Sequence, residues 1–415
     1  MESALDVVII GAGAAGLAAA QDLLRAGMRI RCLEARDRIG GRIYTAHDPQ
    51  SPIPIELGAE FVHGRPAEIF DLAERSGISL DETGGRPVSL VESDGSYLDF
   101  DRVMDDLAET AREDHDETFQ SFLDRSSYSP AEKQRATGFV EGFNAARRER
   151  ISSASLAQDQ NAGSRIGGDR SFRVRQGYSA VIHELAEGVD VRLSSVVKGI
   201  AWKPGAATVG LSSGEMVRAN RVLITVPLGV LQAGGIGFDP EPVETLAAAR
   251  SLCFGDAFRV TLLFERAFWD DESATAGVGF LFSGEPLFPV WWTGRPVEPR
   301  VITGWGAGPQ VDALLGQPAD VVIAQAQATL SRILKTLLPP PLGAWFHDWH
   351  SDPFSRGAYS YVPAGGLPAR RKLAEPIADT LYFAGEAADL LGYGGTVHGA
   401  IASGRRAALL LVKPA

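Results

Sequence analysis

The stretch ALDVVIIGAGAAGLAAAQDLLRAGMRIRCLEA, residues 4–35, decides the fold. Val7 to Ile10 form a short continuous apolar run, the pattern of a strand buried on both faces in a parallel sheet. Gly11, Gly13 and Gly16 follow in G-x-G-x-x-G spacing. The first glycine permits a tight turn, the second lets the backbone approach a pyrophosphate, and the third allows close packing of helix on strand. A helix from about Ala14, with Ala15 in its first turn, then aims unpaired amides at that anion. A second strand, RIRCLE, ends in Glu34, 18 residues after Gly16. An acid there accepts hydrogen bonds from a ribose 2′-hydroxyl and repels a 2′-phosphate, which disfavours NADP. Strand, turn, helix, strand and terminal acid together predict a Rossmann-type dinucleotide site.

The next residues, LEARDRIGGRI (33–43), crowd arginines and a Gly-Gly pair beside that acid. EARDRIGGR resembles the segment that completes the FAD site in the flavin-containing amine oxidase superfamily. The resemblance implies that Arg36 serves the adenosine side and Arg42 the diphosphate, with Gly40 and Gly41 allowing close approach. It continues through IELGAEFVHG (55–64), where Gly58, Ala59, Glu60 and Phe61 are the implied flavin-facing stretch. VRLSSVVKGIAW (191–202) and VRANRVLITVPLGVL (217–231) alternate as strands do. The match places Val197 against the adenine. In TLYFAGEAADLLGYGGTVHGAIASGRRAALLL (380–411), Leu381 to Ala384 read as a buried strand. Glu386 is implied on the ribityl-diphosphate side. A helix from about Thr396 and Val397 would turn its N-terminus to the pyrimidine edge of the flavin, where negative charge develops on reduction.

Within the superfamily, RVRQGYSAVIHELAEG (173–188), SDPFSRGAYSYVPAGG (351–366) and GGTVHGA (394–400) are most similar to the polyamine oxidase and lysine-specific histone demethylase branch. The demethylase's chromatin-type domain and long coiled-coil insertion have no counterpart in these residues, so histones are not expected as substrates. Ala358 stands where monoamine oxidases carry the cysteine that links the flavin, which implies non-covalent FAD. The family chemistry is hydride transfer from an amine C–H to the flavin. The resulting imine is hydrolysed to an aldehyde or ketone, and oxygen is reduced to hydrogen peroxide. Tyr359 and Trp349 match residues near the reactive face. One of Trp291 and Trp292 is expected to line the entrance and the other to pack in the core. Thr396 takes the place of a second monoamine oxidase tyrosine, and Tyr393 either compensates or is a surface-loop aromatic. His63 resembles a histidine of animal polyamine oxidases, with a structural role as the alternative. Arg259 stands where the superfamily usually has a lysine that holds a water near the flavin. It is read either as facing the flavin, where it tunes the reaction with oxygen or binds a substrate carboxylate, or as a strand-end residue.

The resemblance implies an α/β fold, with a Rossmann-type FAD-binding domain and an inserted α+β substrate domain. The first is expected from residues 1–75, 172–234 and 372–415, the second from 76–171 and 235–371. Acidic DRVMDDLAETAREDHDETF (101–119) reads as a solvated helix face, and FRVTLLFERAFW (258–269) and FLFSGEPLFPVWWT (280–293) as sheet strands. The 415 residues carry a net charge of −12, which argues against nucleic acid as a partner. The two cysteines have no metal-ligand spacing, so no metal is expected. The first strand begins too early for a signal peptide, and no apolar run spans a bilayer. The expectation is a soluble, cytoplasmic protein, monomer or homodimer, acting on a small amine with oxygen as acceptor. An L-amino-acid oxidase, a flavin desaturase that does not use oxygen, and a non-catalytic flavoprotein partner are the alternatives.

Overall fold

The computed structural model describes residues 5–91 and 101–412. Residues 1–4, 92–100 and 413–415 of the expected domain pieces lie outside the described residues. The strand Leu5–Ile10 runs at the heart of an eight-stranded sheet. It is parallel to Ile30–Leu33 on one side and to Met216–Ile224 on the other. Val7, Val8 and Ile9 are fully buried, as the unbroken apolar run requires.

Met216–Ile224 is long enough to serve two further neighbours along its other edge. Its first half pairs antiparallel with Ala206–Leu211, and its second half pairs parallel with Leu381–Phe383. That division brings a segment more than 150 residues away in sequence to the carboxyl end of the sheet. Gly11, Glu34 and Ala384 therefore end neighbouring or next-but-one strands on one crest, where ligands bind in open α/β sheets. Behind the crest, helix Ala14–Arg25 packs on helix Val397–Val412. Their approach is so close that a Cβ on Gly404 would stand 2.1 Å from the Ala15 carbonyl oxygen.

A six-stranded sheet follows the order Gly343–Trp345, Ala257–Leu263, Glu298–Ala307, Val290–Gly294, Val278–Phe282 and Arg86–Ser89. All seven residues of Ala257–Leu263 are buried, with one face covered by helix Ala319–Leu334 through Val322, Ala326 and Leu330. Phe61–His63, Ser171–Val174 and Leu80–Glu82 form a separate three-stranded sheet in that order.

Several expected bounds move. The strand expected over 258–269 ends at Leu263, because Phe268–Asp270 forms a 3-10 turn that buries Trp269. The acidic stretch 101–119 breaks after the α-helix Asp101–Thr110, which turns Val103, Met104 and Leu107 inward and leaves Asp105 and Glu109 exposed, and continues as the 3-10 turn Glu113–His115. Residues 191–202 split into Val191–Arg192 and Val197–Lys203 around Ser194, whose φ is +52°. Gly237–Asp239, past the expected boundary at 234, pairs with the Val197–Lys203 strand. Both cysteines are free and buried. Among the described residues no helix is long and apolar enough to cross a membrane, and no cluster of His, Cys, Asp or Glu could hold a metal.

Candidate active site

The glycine turn has the geometry its spacing predicts. Gly11 has φ +104°, and a Cβ on Gly16 would stand 2.0 Å from the Gly11 carbonyl oxygen, so no side chain fits there. At Gly13 and Gly385 the reverse holds, since a Cβ would meet nothing within 4 Å. The backbone there faces open space that a ligand can fill. No side chain caps helix Ala14–Arg25, which leaves its first amides to an anion. The Glu34 carboxylate accepts from the amides of Ala12 and Arg36, both at 2.8 Å. Each oxygen keeps a further lone pair for a ribose hydroxyl. Ser195, whose amide donates to the Glu34 carbonyl, holds Val197 two residues from this corner. These features fit the adenosine and diphosphate of a dinucleotide.

The arginines of 36–42 divide their work. Arg36 pairs with Asp352 at 2.7 Å. Burial would raise the Asp352 carboxyl, but hydrogen bonds from His347 and Arg36 hold it well below the usual carboxylate range. Arg38 donates to the carbonyls of Ile39, Gly41 and Ile43, which shapes the Gly40–Gly41 turn. Arg42 donates to the Ala358 carbonyl and to Glu386 Oε1, at 2.7 and 2.9 Å. The other Glu386 oxygen accepts from the Ser360 hydroxyl at 2.6 Å and the Gly395 amide at 3.1 Å. Glu386 thus ties three distant segments together, and in this arrangement both of its oxygens bind protein.

The stretch Gly58–Phe61 runs between a tight backbone contact and two kinds of wall. A Cβ on Gly58 would lie 2.0 Å from the Arg42 carbonyl oxygen and 3.0 Å from the Trp349 ring. The Ala59 amide donates to the same Arg42 carbonyl. Trp349 is 5% exposed, and its indole N–H donates to Leu57 O at 2.8 Å. It therefore packs against the backbone leading into this stretch.

One wall is aromatic. Phe61 lies 5.1 Å from Trp292 and 5.9 Å from His63, centroid to centroid, and His63 lies 5.3 Å from Phe143. The Tyr359 hydroxyl donates to Phe143 O at 2.8 Å, and its ring abuts Gly395, next to Thr396. Thr396 Oγ1 accepts from the Gly399 amide, capping the helix that begins at Val397. Tyr393 packs on His398 at 4.8 Å, so it is built into the loop instead of lying loose on the surface. Burial pushes His63 down to about 4. Burial and the neighbouring His63 push His398 down to about 4. Both imidazoles are neutral at pH 7.

The other wall is charged. Glu60 accepts from Arg173 Nε at 2.5 Å, Arg259 Nη2 at 2.7 Å and Trp292 Nε1 at 3.0 Å. Burial would raise this carboxyl, but the two guanidiniums hold it below its ordinary value. Arg259 also donates to Gly58 O at 2.9 Å. The strand-end, solvent-facing reading of Arg259 is wrong, because the residue is 5% exposed in a fully buried strand. Free display of its guanidinium toward a ligand is also absent, since both terminal nitrogens bind protein groups.

Trp291 is corrected as a site residue. It is fully buried in the core between sheet and helix, and its N–H donates to Phe288 O. Alternation along Val290–Gly294 turns adjacent side chains to opposite faces, so Trp292 alone reaches the site. Sequence reasoning missed Arg173, Asp352, Phe143 and His398. Arg173 carried one usable signal: between Phe172 and Val174 it must face away from the core those two enter.

The geometry agrees with three comparisons. The family described as flavin containing amine oxidoreductase matches residues 14–411. Lysine-specific histone demethylase 1 homolog 2 of Oryza sativa subsp. japonica is 31% identical over 98% of this chain and 56% of its own. Polyamine oxidase 4 of the same plant is 32% identical over 97% of this chain and 87% of its own. The chain spans about half the length of the demethylases it matches. A putrescine oxidase solved with putrescine bound superposes with a TM-score of 0.85, at 25% identity, over 98% of both chains.

Proposed function

The chain belongs to the flavin-containing amine oxidoreductases, and we propose that it oxidises a primary or secondary amine, polyamines foremost, at the carbon beside nitrogen. The observation that carries this reading is the aromatic wall of Phe61, His63, Trp292 and Tyr359 beside Gly58–Phe61. FAD, when bound, supplies the acceptor for the hydride that leaves the amine carbon. Glu34, Arg36, Val197 and the glycine turn would hold its adenosine and diphosphate end, with Arg42, Gly41 and Glu386 further along. Ala358 in the linking position supports non-covalent binding, so acid precipitation should release the yellow colour.

The residues of this chain do the remaining work. The aromatic faces orient an apolar carbon skeleton and exclude water. Neutral His63 can accept a hydrogen bond from an amine N–H without repelling a cation elsewhere on the substrate. The N-terminal end of helix Val397–Val412, just past Thr396, favours negative charge at the adjoining edge of the cofactor. The imine product is hydrolysed to an aldehyde or ketone and a smaller amine or ammonia, and oxygen is reduced to hydrogen peroxide. The amino-acid oxidase alternative loses support, because Arg259, its proposed carboxylate clamp, is engaged by Gly58 O and Glu60. The same reading keeps the two-domain division, with the eight-stranded sheet for FAD and the six-stranded sheet for substrate, and a cytoplasmic location.

Anaerobic bleaching of the bound flavin by polyamines, monoamines and L-amino acids tests the proposal. Bleaching by amines, with peroxide formed on admitting air, is the expected result. Bleaching by L-amino acids alone, or by no amine while dithionite still bleaches, overturns it. Bleaching by amines without peroxide restricts the protein to dehydrogenase chemistry.

A further inference from the structure

A cleft opens behind the charged wall. Its inner end is formed by Arg259, Glu60, Thr261, Thr303 and Trp292, and its outer end by Glu82, Arg175 and Val297. The inner residues are nearly sealed from the surface, with Thr261 2%, Thr303 3% and Trp292 6% exposed, whereas Val297 is 53% exposed. The space therefore runs from bulk solvent to the buried guanidinium beside Gly58. The centre of a water molecule can occupy about 70 Å³ of it. That is room for several waters. None of His63, Phe143 and Tyr359 lines it.

We propose that this cleft is a water conduit to the inner site, separate from the aromatic wall assigned above to the amine. Two observations besides its shape support it. Arg259 Nε is buried and has no protein partner among the described residues. An unsatisfied guanidinium N–H in a dry site costs free energy, and a resident water removes that cost. The cluster also buries two arginines against one glutamate, an arrangement that local hydration stabilises. Trp292 is the partition: its indole N–H meets Glu60 on the cleft side, and its ring meets Phe61 and Trp305 on the other.

The role rests on the proposed amine oxidation. Each turnover of that reaction consumes one amine, one oxygen and one water, and releases one carbonyl compound, one shorter amine or ammonia, and one hydrogen peroxide. Water must enter and peroxide leave while the amine and its product occupy the aromatic side.

Hydrogen exchange of the indole N–H groups, followed by NMR on tryptophan-labelled protein with FAD bound, tests the conduit without any substrate. Trp291 and Trp292 are neighbours in one strand and share its opening motions, so they form an internal comparison. The Trp292 N–H is expected to exchange at least about tenfold faster than that of Trp291. Val297→Phe at the outer mouth should slow Trp292 exchange and leave Trp291 unchanged. Equal rates for the two indoles, or no effect of V297F, overturns the conduit. In V297F, amine KM and anaerobic flavin reduction should match the parent protein. A raised KM or slowed reduction would make the cleft the amine entrance and overturn the proposal. If no amine reduces the flavin at all, the proposed function fails while the exchange result still decides the conduit.

Discussion

Glu60→Gln tests the charged wall most directly. The substitution keeps size and one acceptor but removes the charge that two guanidiniums share. The side chains of Arg173, Glu60 and Arg259 are 17%, 11% and 6% exposed, so solvent screens them little. At the 2.7 Å Arg259 contact, an effective dielectric of about 20 gives roughly 6 kcal/mol of direct attraction. Desolvation offsets part of that, and removing one partner of a buried pair costs about 3–5 kcal/mol. For 415 residues, an unfolding entropy of about 2.1 cal/mol/K per residue converts this to a fall in Tm of about 3–6 °C. Glu215→Gln is the control, because its pair with Arg192 is 43% and 36% exposed. An exposed pair contributes at most about 1 kcal/mol, or roughly 1 °C here. The pH dependence carries a sign. The folded Glu60 carboxyl lies below its ordinary value of 4.5, so its contribution is complete above that value and is lost as pH falls through the folded value. The gap between parent and E60Q should hold from pH 6 to 8 and close in acid, as read by thermal unfolding of flavin-loaded protein. An E60Q shift no larger than that of E215Q at pH 7 would refute the reasoning.

Further outcomes follow from other contacts. Gly16→Ala must push its methyl against Gly11 O. Overpacking costs about 1–3 kcal/mol, so FAD affinity should fall by at least about tenfold in a flavin-release titration. Tyr359→Ala should slow anaerobic flavin reduction by amine about 10- to 100-fold while FAD stays bound; parent-like stopped-flow rates would remove Tyr359 from the substrate wall. His63 has its folded value depressed from 6.5 to about 4. Protonation then favours the unfolded chain, and stability should decline as pH falls from about 6.5 toward 4. His63→Gln should flatten that acid limb in urea unfolding curves, and an unchanged limb would place the titration elsewhere.

The geometry of the glycine turn and of the acid beside it was legible in the sequence because its determinants are local. Gly11, Gly13 and Gly16 are fixed by turn geometry and close packing, and Glu34 by the length of one strand–helix–strand unit. Each of those constraints acts within about 30 residues, so spacing alone encodes them. The family resemblance extended the reading to Arg42, Glu386 and Tyr359, and the fold keeps those residues together. What spacing could not decide was direction and partnership. Trp291 and Trp292 are identical in type and adjacent, and only the placement of their strand between two layers sends one to the core and the other to Glu60. Arg259 reads as a free cation in a strand pattern. Its neighbours, Gly58 and Glu60, lie about 200 residues away in the chain and meet it only when the segment between two short strands packs on the six-stranded sheet. Arg173 is the same case from the opposite side. Charge networks form from residues that share no local pattern, because Coulomb energy depends on distance in space and not along the chain.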